Sequence, residues 1–324
     1  MNNLQLIKMF EMIEKDLLDS IDKTIFYSEV DKKPELVKEF LTKYIDLKQK
    51  CYAEIKNLKE CLKNKTVIVT GGSSGIGKQV VLLFKKLGAI VYVCDLKDPE
   101  IEGVEWIDVD VTNREQVFLA MQDIERIDYL ITSAGLFGFD SDLTKQQKDR
   151  MFNVNVNGTK NFIDACFNKF KKSESGICCV TSGLCKTLDP TCLTYCITKQ
   201  EIMKLVNSNR NKGVNINTVL PGPILTPLLL KDVPTLIGLA EYCNLNPEGY
   251  CGCPEHIALG IVEMIINKDI NRDLAIDGGE SSMYKKQDNK YWIEGYNGPF
   301  DIEFQGKKYC WDLDSSYNEL TRKL

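Results

Sequence analysis

Tyr195 and Lys199 stand four residues apart in the run "YCITK". In a helix, residues at i and i+4 share a face, so the phenol and the ammonium would be neighbours. A cation beside a phenol stabilises the phenolate and lowers its pKa. Tyrosine then becomes a usable acid or base near neutral pH. Such a pair also arises often by chance, and a half-buried aromatic beside a solvated lysine satisfies the same spacing. Ser182 narrows the choice. It closes the apolar run "ICCVTS" 13 residues before Tyr195, where its hydroxyl could steady charge developing on a substrate oxygen.

A second cluster points to phosphate. The run "TVIVT" (66–70) leads into "GGSSGIG", with Gly71, Gly75 and Gly77 at the spacing G-x3-G-x-G. Backbone can approach a pyrophosphate closely only where side chains are missing, and a helix opening at Ile76 would offer its free N–H groups to the anion. Gly71, Ser73, Ser74, Gly75, Ile76 and Gly77 are therefore candidate cofactor contacts, although a tight strand-to-helix turn without a ligand has the same glycines. Asp95 ends the next apolar run, 18 residues after Gly77. A carboxylate there suits the adenosine ribose hydroxyls and repels a 2′-phosphate, and Ser74 supplies no cation to offset that repulsion. Both features favour NAD(H) over NADP. Asp95 as a simple cap on the following segment is the competing explanation.

These groups need a frame that brings them together. Between residues 63 and 280, short apolar β-branched runs alternate with helical stretches: 66–70, 89–95, 129–135, 176–183, 214–222 and 274–279 read as strands. Continuous apolar strands separated by helices predict an α/β domain with a doubly wound parallel sheet covered on both faces. Residues 1–62 read as an N-terminal helical extension. Leu6, Met9, Phe10, Ile13, Leu17 and Ile21 form one stripe, and a second helix starts at Lys33-Pro34, carrying Leu36, Phe40, Leu41, Tyr44, Leu47, Cys51, Ile55 and Leu58. The partner of this stripe is either the main domain or a second subunit. Residues 281–324 form a C-terminal extension with hairpins expected at Asn297-Gly298 and Gln305-Gly306. Its Trp292, Tyr296, Phe300 and Trp311 are candidates to cover a pocket or bridge subunits.

Composition excludes several classes. Forty-one basic against 46 acidic residues give a formal charge of −5, which argues against nucleic acid as a partner. No run of 18 apolar residues offers a membrane span, and the charged N-terminus is unlike a secretory signal. Thirteen scattered cysteines in apolar runs read as buried free thiols of a reducing compartment, so a cytoplasmic location is expected. Cys243, Cys251 and Cys253 near His256 fit no standard zinc spacing, so no metal is expected.

Taken in order, "TGGSSGIG", Asp95, Asp110 in "DVT", "SAG" (133–135), Asn155 in "VNVNG", Ser182, "YCITK", "PGPILTP" (221–227), "PEHIA" (254–258) and "DGG" (277–279) closely resemble the compact branch of the short-chain dehydrogenase/reductase family over about residues 63–280. The resemblance implies a Rossmann-type fold with a seven-stranded parallel sheet. It implies that Tyr195 exchanges the substrate hydroxyl proton, that Lys199 lowers its pKa and holds the nicotinamide ribose, and that Ser182 orients the carbonyl oxygen. Asn155 would sit in a kinked helix and hold a water linking Lys199 to solvent. Asp110 and Val111 would flank the adenine, Ala134 and Gly135 would line the cofactor, and Pro221, Gly222, Ile224 and Thr226 would hold the nicotinamide. The chain departs from the family pattern at Thr132-Ser133, where two asparagines are usual, and at Asn271, where a glycine is usual. The 26 positions from Tyr195 to Pro221 are about one helical turn fewer than the family pattern, in the helix that commonly builds its dimer interface.

The expected activity is hydride transfer between NAD(H) and a secondary alcohol or ketone. The mostly apolar segment after Thr226, which in the family forms the substrate lid, favours a neutral or hydrophobic small molecule. The alternatives are a catalytically silent NAD-binding regulator or scaffold and, more weakly, an NADP-dependent carbonyl reductase. A homo-oligomer is open on this reading.

Overall fold

The β-branched run Thr66–Thr70 forms β1, and every residue after the first is buried, as suits a strand covered on both faces. The computed structural model describes residues 2–276 apart from 172–174, 187–188, 211, 246–248, 250 and 269, and beyond them the backbone of strand residues 286–287, 290–291, 300–304, 307–311 and 321–322. Four helices precede β1: α1 (Asn3–Ile13), α2 (Lys15–Leu18), α3 (Lys23–Phe26) and α4 (Pro34–Asn57), the last with its proline in the first turn. After β1 come α5 (Gly75–Lys86), β2 (Ile90–Asp95), β3 (Glu105–Asp108), α6 (Arg114–Gln122), β4 (Tyr129–Thr132), α7 (Lys145–Phe152), α8 (Thr159–Cys166) and β5 (Gly176–Val180). Then follow α9 (Leu193–Asn209), β6 (Asn215–Pro221), α10 (Pro227–Asp232), α11 (Leu236–Asn244), α12 (Pro254–Ile266) and β7 (Asp273–Ile276).

The seven strands form one parallel sheet in the order β3-β2-β1-β4-β5-β6-β7. The chain winds outward from β1 to β3, then returns to start again at β4. The crevice at the carboxyl ends of β1 and β4 is therefore the topological switch point, where open α/β sheets bind ligands. One sheet face is covered by α6, α8 and α9 through Met121, Phe162 and Ile202, and the other by α5 and α12 through Val80, Phe84 and Ile261. The sheet was expected from the apolar runs. Its edge strand β3 was not, because Glu105 and Asp108 bound a four-residue strand with little burial.

A third apolar core belongs to the N-terminal helices. Leu6, Phe10, Phe40, Leu41 and Tyr44 pack with Leu230, Leu236, Leu239 and Cys243 of α10 and α11. The extension thus packs on its own chain. The single stripe expected from Leu6 to Ile21 is split, since α1 ends at Glu14 and the chain restarts as α2. Asn271 adopts a left-handed conformation at φ 52°, which explains why asparagine can stand in for glycine there. Beyond β7, β8 (Lys286–Gln287) pairs with β9 (Lys290–Tyr291). β10 (Phe300–Phe304) pairs antiparallel with β11 (Lys307–Trp311), which also pairs with β12 (Thr321–Arg322). The pairing of Phe304 with Lys307 brackets the expected Gln305-Gly306 turn. Asn297-Gly298, Asp277–Gly279 and the side chains of Trp292, Tyr296, Phe300 and Trp311 lie outside the described residues.

Candidate active site

The glycine turn is shaped by close approach. Gly71 is left-handed at φ 67° and donates its N–H to Cys94 O at 3.0 Å, and a Cβ on it would lie 2.6 Å from Ala134 Cα. A Cβ on Gly77 would lie 2.1 Å from Gly71 O. Gly75, also left-handed at φ 52°, opens α5, and no side chain caps that helix. The N–H groups of its first turn are thus left to a ligand. At the end of β2 the Asp95 carboxylate accepts N–H bonds from Ser73 at 3.0 Å and Lys97 at 3.2 Å, which fixes its orientation.

The neighbouring wall is built from β4 and the segment after β3. The Thr70 hydroxyl accepts the N–H groups of both Ser133 and Ala134 at 3.2 Å. That support for the loop was not read from the sequence, which drew attention to the side chains of Thr132 and Ser133 instead. Asp110 folds back on Thr112, accepting from its N–H and its hydroxyl at 2.8 Å each. Val111 packs on Gly158, where a Cβ would come within 2.6 Å of it.

Between α7 and α8 the chain makes a π-helical turn over Asn153–Gly158, which is the kink expected around Asn155. Asn155 is fully buried. Its carboxamide accepts from Leu136 N–H at 2.7 Å and donates to Leu136 O at 3.0 Å and to the Thr198 hydroxyl at 2.9 Å. It therefore ties the loop after β4 to α9, the helix that carries Tyr195 and Lys199. The start of α9 is pinned a second time by Asp140, which accepts from Thr194 N–H at 2.9 Å and from its hydroxyl at 2.5 Å.

On α9 the Lys199 ammonium lies 5.4 Å from the centre of the Tyr195 ring. It is 5% exposed and donates to Val180 O at 3.2 Å. Burial pulls its pKa from 10.5 down to about 8, with the Cys185 and Cys179 thiols opposing. Phe137 packs edge-on against Tyr195, with ring centres 4.9 Å apart at 85°. Ser182 follows β5, and its oxygen accepts Leu184 N–H at 3.2 Å. On the far side Gly222 N–H bonds to Ile276 O at 3.1 Å, Ile224 pairs with Gly252, and Thr226 caps α10 through Leu229 N–H at 3.4 Å.

These pieces converge on one cavity of about 820 Å³. Gly71, Ser74, Gly75, Ile76, Asp95, Asp110, Val111, Ala134, Gly135, Ser182, Tyr195, Lys199, Pro221, Gly222, Ile224 and Thr226 all line it. Ser73, Gly77 and Asn155 do not line it. The cradle fits an extended dinucleotide: glycines occupy the positions where a Cβ would collide, a helix mouth faces the crevice, and an oriented carboxylate stands on the cavity wall at the end of β2. Phe137 and Arg150 also line the cavity and were missed, and so do Leu228, Lys231 and Tyr242, which fall in the segment read as the lid but were not assigned to the site. Their only sequence signal is their place, in the loop after "SAG", in the helix before Asn155, and in the segment after Thr226.

The description "short chain dehydrogenase" matches residues 65–235 of this chain. The chain belongs to the short-chain dehydrogenase/reductase family. Among relatives of this dehydrogenase, L-fucose dehydrogenase of Mus musculus is 29% identical over 250 residues, covering 70% of this chain and 92% of its own length. NAD-dependent glycerol dehydrogenase of Listeria innocua is 26% identical over 241 residues, covering 67% and 94%. The ligand-free aldohexose dehydrogenase of Thermoplasma acidophilum shares the fold with a TM-score of 0.62 at 23% identity, covering 70% of this chain and 97% of its own. Family membership makes the protein an oxidoreductase that uses a nicotinamide cofactor. A catalytically silent scaffold is not favoured by relatives that are named dehydrogenases.

Among the described residues of this dehydrogenase, 12 cysteines are free thiols and all but Cys61 are buried. Cys243, Cys251 and Cys253 sit in the third core. Cys251 donates to Pro223 O at 3.4 Å, and Cys253 lies 3.8 Å from the sulfur of Cys51. No helix among the described residues is long and apolar enough to cross a membrane.

Proposed function

We propose that this enzyme moves a hydride between NAD(H) and a secondary alcohol or its ketone, with Tyr195 as the acid–base group. The observation that carries the proposal is the buried Lys199 ammonium beside the Tyr195 ring, in the same cavity as the glycine turn. When bound, the nicotinamide supplies or takes up the hydride. The protein does the rest. In the reducing direction Tyr195 O–H passes its proton to the substrate oxygen, and in the oxidising direction the phenolate takes it back. Lys199 stabilises the phenolate. The oxygen of Ser182 already accepts Leu184 N–H, which leaves its O–H to donate to the substrate oxygen. Asn155 keeps this set in register by joining Leu136 to Thr198. Gly71, Ser74, Gly75 and Ile76 hold the pyrophosphate, with Ser73 and Gly77 shaping the turn that presents them, Asp110, Val111, Ala134 and Gly135 hold the adenine side, and Pro221, Gly222, Ile224 and Thr226 the nicotinamide.

The orientation of Asp95 supports NAD over NADP, since its charge faces the ribose position and Ser73 and Ser74 bring no cation to it. Phe137, Leu184, Leu228 and Tyr242 support a neutral substrate with substantial apolar surface. The buried free thiols support a reducing compartment such as the cytoplasm. Reduced-nicotinamide absorbance with a panel of alcohols and ketones tests the proposal. Tyr195→Phe is expected to lower turnover about 10²- to 10⁴-fold while NAD affinity changes less than about twofold. Unchanged turnover removes Tyr195 from its role. Asp95→Ala is expected to lower the NAD-to-NADP preference by about tenfold or more, that is by about 1.4 kcal/mol or more. A wild-type enzyme that already prefers NADP overturns the cofactor assignment.

A further inference from the structure

We infer that the N-terminal extension is the positioning element of the substrate lid, with Lys48 of α4 as its anchor. The inference rests on the cavity described above being the active site. The lid helices α10 and α11 have two faces. Leu228, Lys231 and Tyr242 line the cavity. Leu230, Leu236, Leu239 and Cys243 turn the other way and are buried against α1 and α4.

The contacts run the length of α4, whose 24 residues span about 36 Å. At its start Lys33 pairs with Glu241 of α11 at 2.6 Å. Phe40 and Tyr44 follow at helical spacing in the shared core, and Lys43 donates to Gly249 O at 3.3 Å. One turn on, Lys48 reaches Glu255 in the first turn of α12 at 3.0 Å and Glu14 at the end of α1 at 2.5 Å. The side chains of all three are less than a tenth exposed. Tyr44 O–H also donates to Glu14, at 2.6 Å. Cys51 then touches Cys253 beside Glu255. The surface pair Lys33–Glu241 sets register and contributes little energy, because both partners are in water. The Glu14–Lys48–Glu255 cluster is different. Its members are buried, so moving α4 off α12 would strand charges in a low dielectric.

Substrate lids of many enzymes close only when ligand arrives. Here the back of the lid is already packed. The relatives match this chain over nearly their whole length while leaving about a third of it over, and the family match begins at residue 65, after the extension. The shape of the substrate end of the cavity is thus set by α4 from behind as well as by the residues that face it.

Hydrogen exchange on the full-length chain tests this without any substrate. In the unmodified protein, α10 and α11 are expected to exchange as slowly as α4. In Lys48→Met they are expected to exchange about tenfold faster or more, while β1 and α5 change less than about twofold, and Lys48→Arg restores protection. A lid that exchanges freely in the unmodified protein while α4 stays protected overturns the inference, and so does uniform loss of protection in Lys48→Met. If Lys48→Met does not fold, the unmodified protein decides the matter, and Leu239→Ala supplies a milder loosening of the same contact. The Tyr195→Phe experiment reports on the acid–base reading alone: turnover surviving that change would remove the catalytic role and leave the exchange result standing.

Discussion

Among the described residues two lysines of this enzyme are almost wholly buried, and the protein treats them in opposite ways. Lys199 in the cleft faces Val180 O, with two thiols as the titratable groups acting on it, and burial brings its pKa down to about 8. Lys48 in the extension lies between Glu14 and Glu255. Burial pulls its pKa down as well, but the two carboxylates outweigh it and push the value above the ordinary lysine range. A buried charge is normally paired, because an unpaired one costs several kcal/mol. Lys48 follows that rule and serves the fold. Lys199 departs from it, with no carboxylate paired to it among the described residues, which leaves the field of its ammonium directed at Tyr195. A perturbed, uncompensated group in a cleft marks a functional site, and a compensated one marks structure.

The sharpest way to break this comparison is to remove each ammonium while keeping the stem. Lys199→Met is expected to cost about 10²- to 10⁴-fold in turnover, since the phenol then loses its partner. Its stability toward urea should hold or rise, because a buried unpaired charge has been replaced by an apolar side chain of similar length. Lys48→Met should do the reverse, weakening the packing of α1 and α4 on α12 by about 3–5 kcal/mol through two stranded carboxylates, a loss confined to the extension and the lid helices. The triple change Glu14→Gln, Lys48→Met, Glu255→Gln removes all three charges together and should recover most of that loss. A Lys199→Met protein destabilised as severely as Lys48→Met would show that the two sites do not differ in kind.

The two regions also differed in how far the sequence exposed them. The cleft was legible because its parts are local. A β-branched run before glycines, a carboxylate after a strand and a phenol four residues from an amine each restrict geometry within a few residues, and their order did the rest. The clamp was not legible. The stripe on α4 says that the helix needs a partner, but the partner lies some 200 residues away at Leu236, Leu239 and Glu255. Lys48 stands among Lys43, Asp46 and Lys50, where a charge ordinarily means solvent. Glu255 was seen only as part of "PEHIA". Inside the cleft, what escaped notice was the second tier of contacts, such as Thr70 under Ser133 and Ala134, where a threonine ending a strand looks like any other.

Proton linkage gives the finest test of the contrast, because it reads the Lys199 charge without any chemistry. Below about pH 8 the native and unfolded chains both carry the Lys199 proton, and the full cost of burying that charge is present. Between about 8 and 10.5 the unfolded chain keeps the proton while the native chain gives it up. The unfolded state then binds more protons, so this group makes the protein more stable as pH rises. The whole shift is worth about 3.5 kcal/mol at roughly 1.4 kcal/mol per pKa unit. Buried thiols such as Cys166 and Cys185, both pushed up to about 12 by burial, act against it as the unfolded chain begins to ionise above pH 9. The quantity to follow is therefore the difference in unfolding free energy between Lys199→Met and the unmodified protein, in which thiols away from Lys199, such as Cys166, cancel. That difference should favour the variant at pH 7 and shrink steadily toward pH 10. A difference that stays flat over this range would mean that the Lys199 ammonium is compensated after all, and that it resembles Lys48 more than the geometry of the cleft allows.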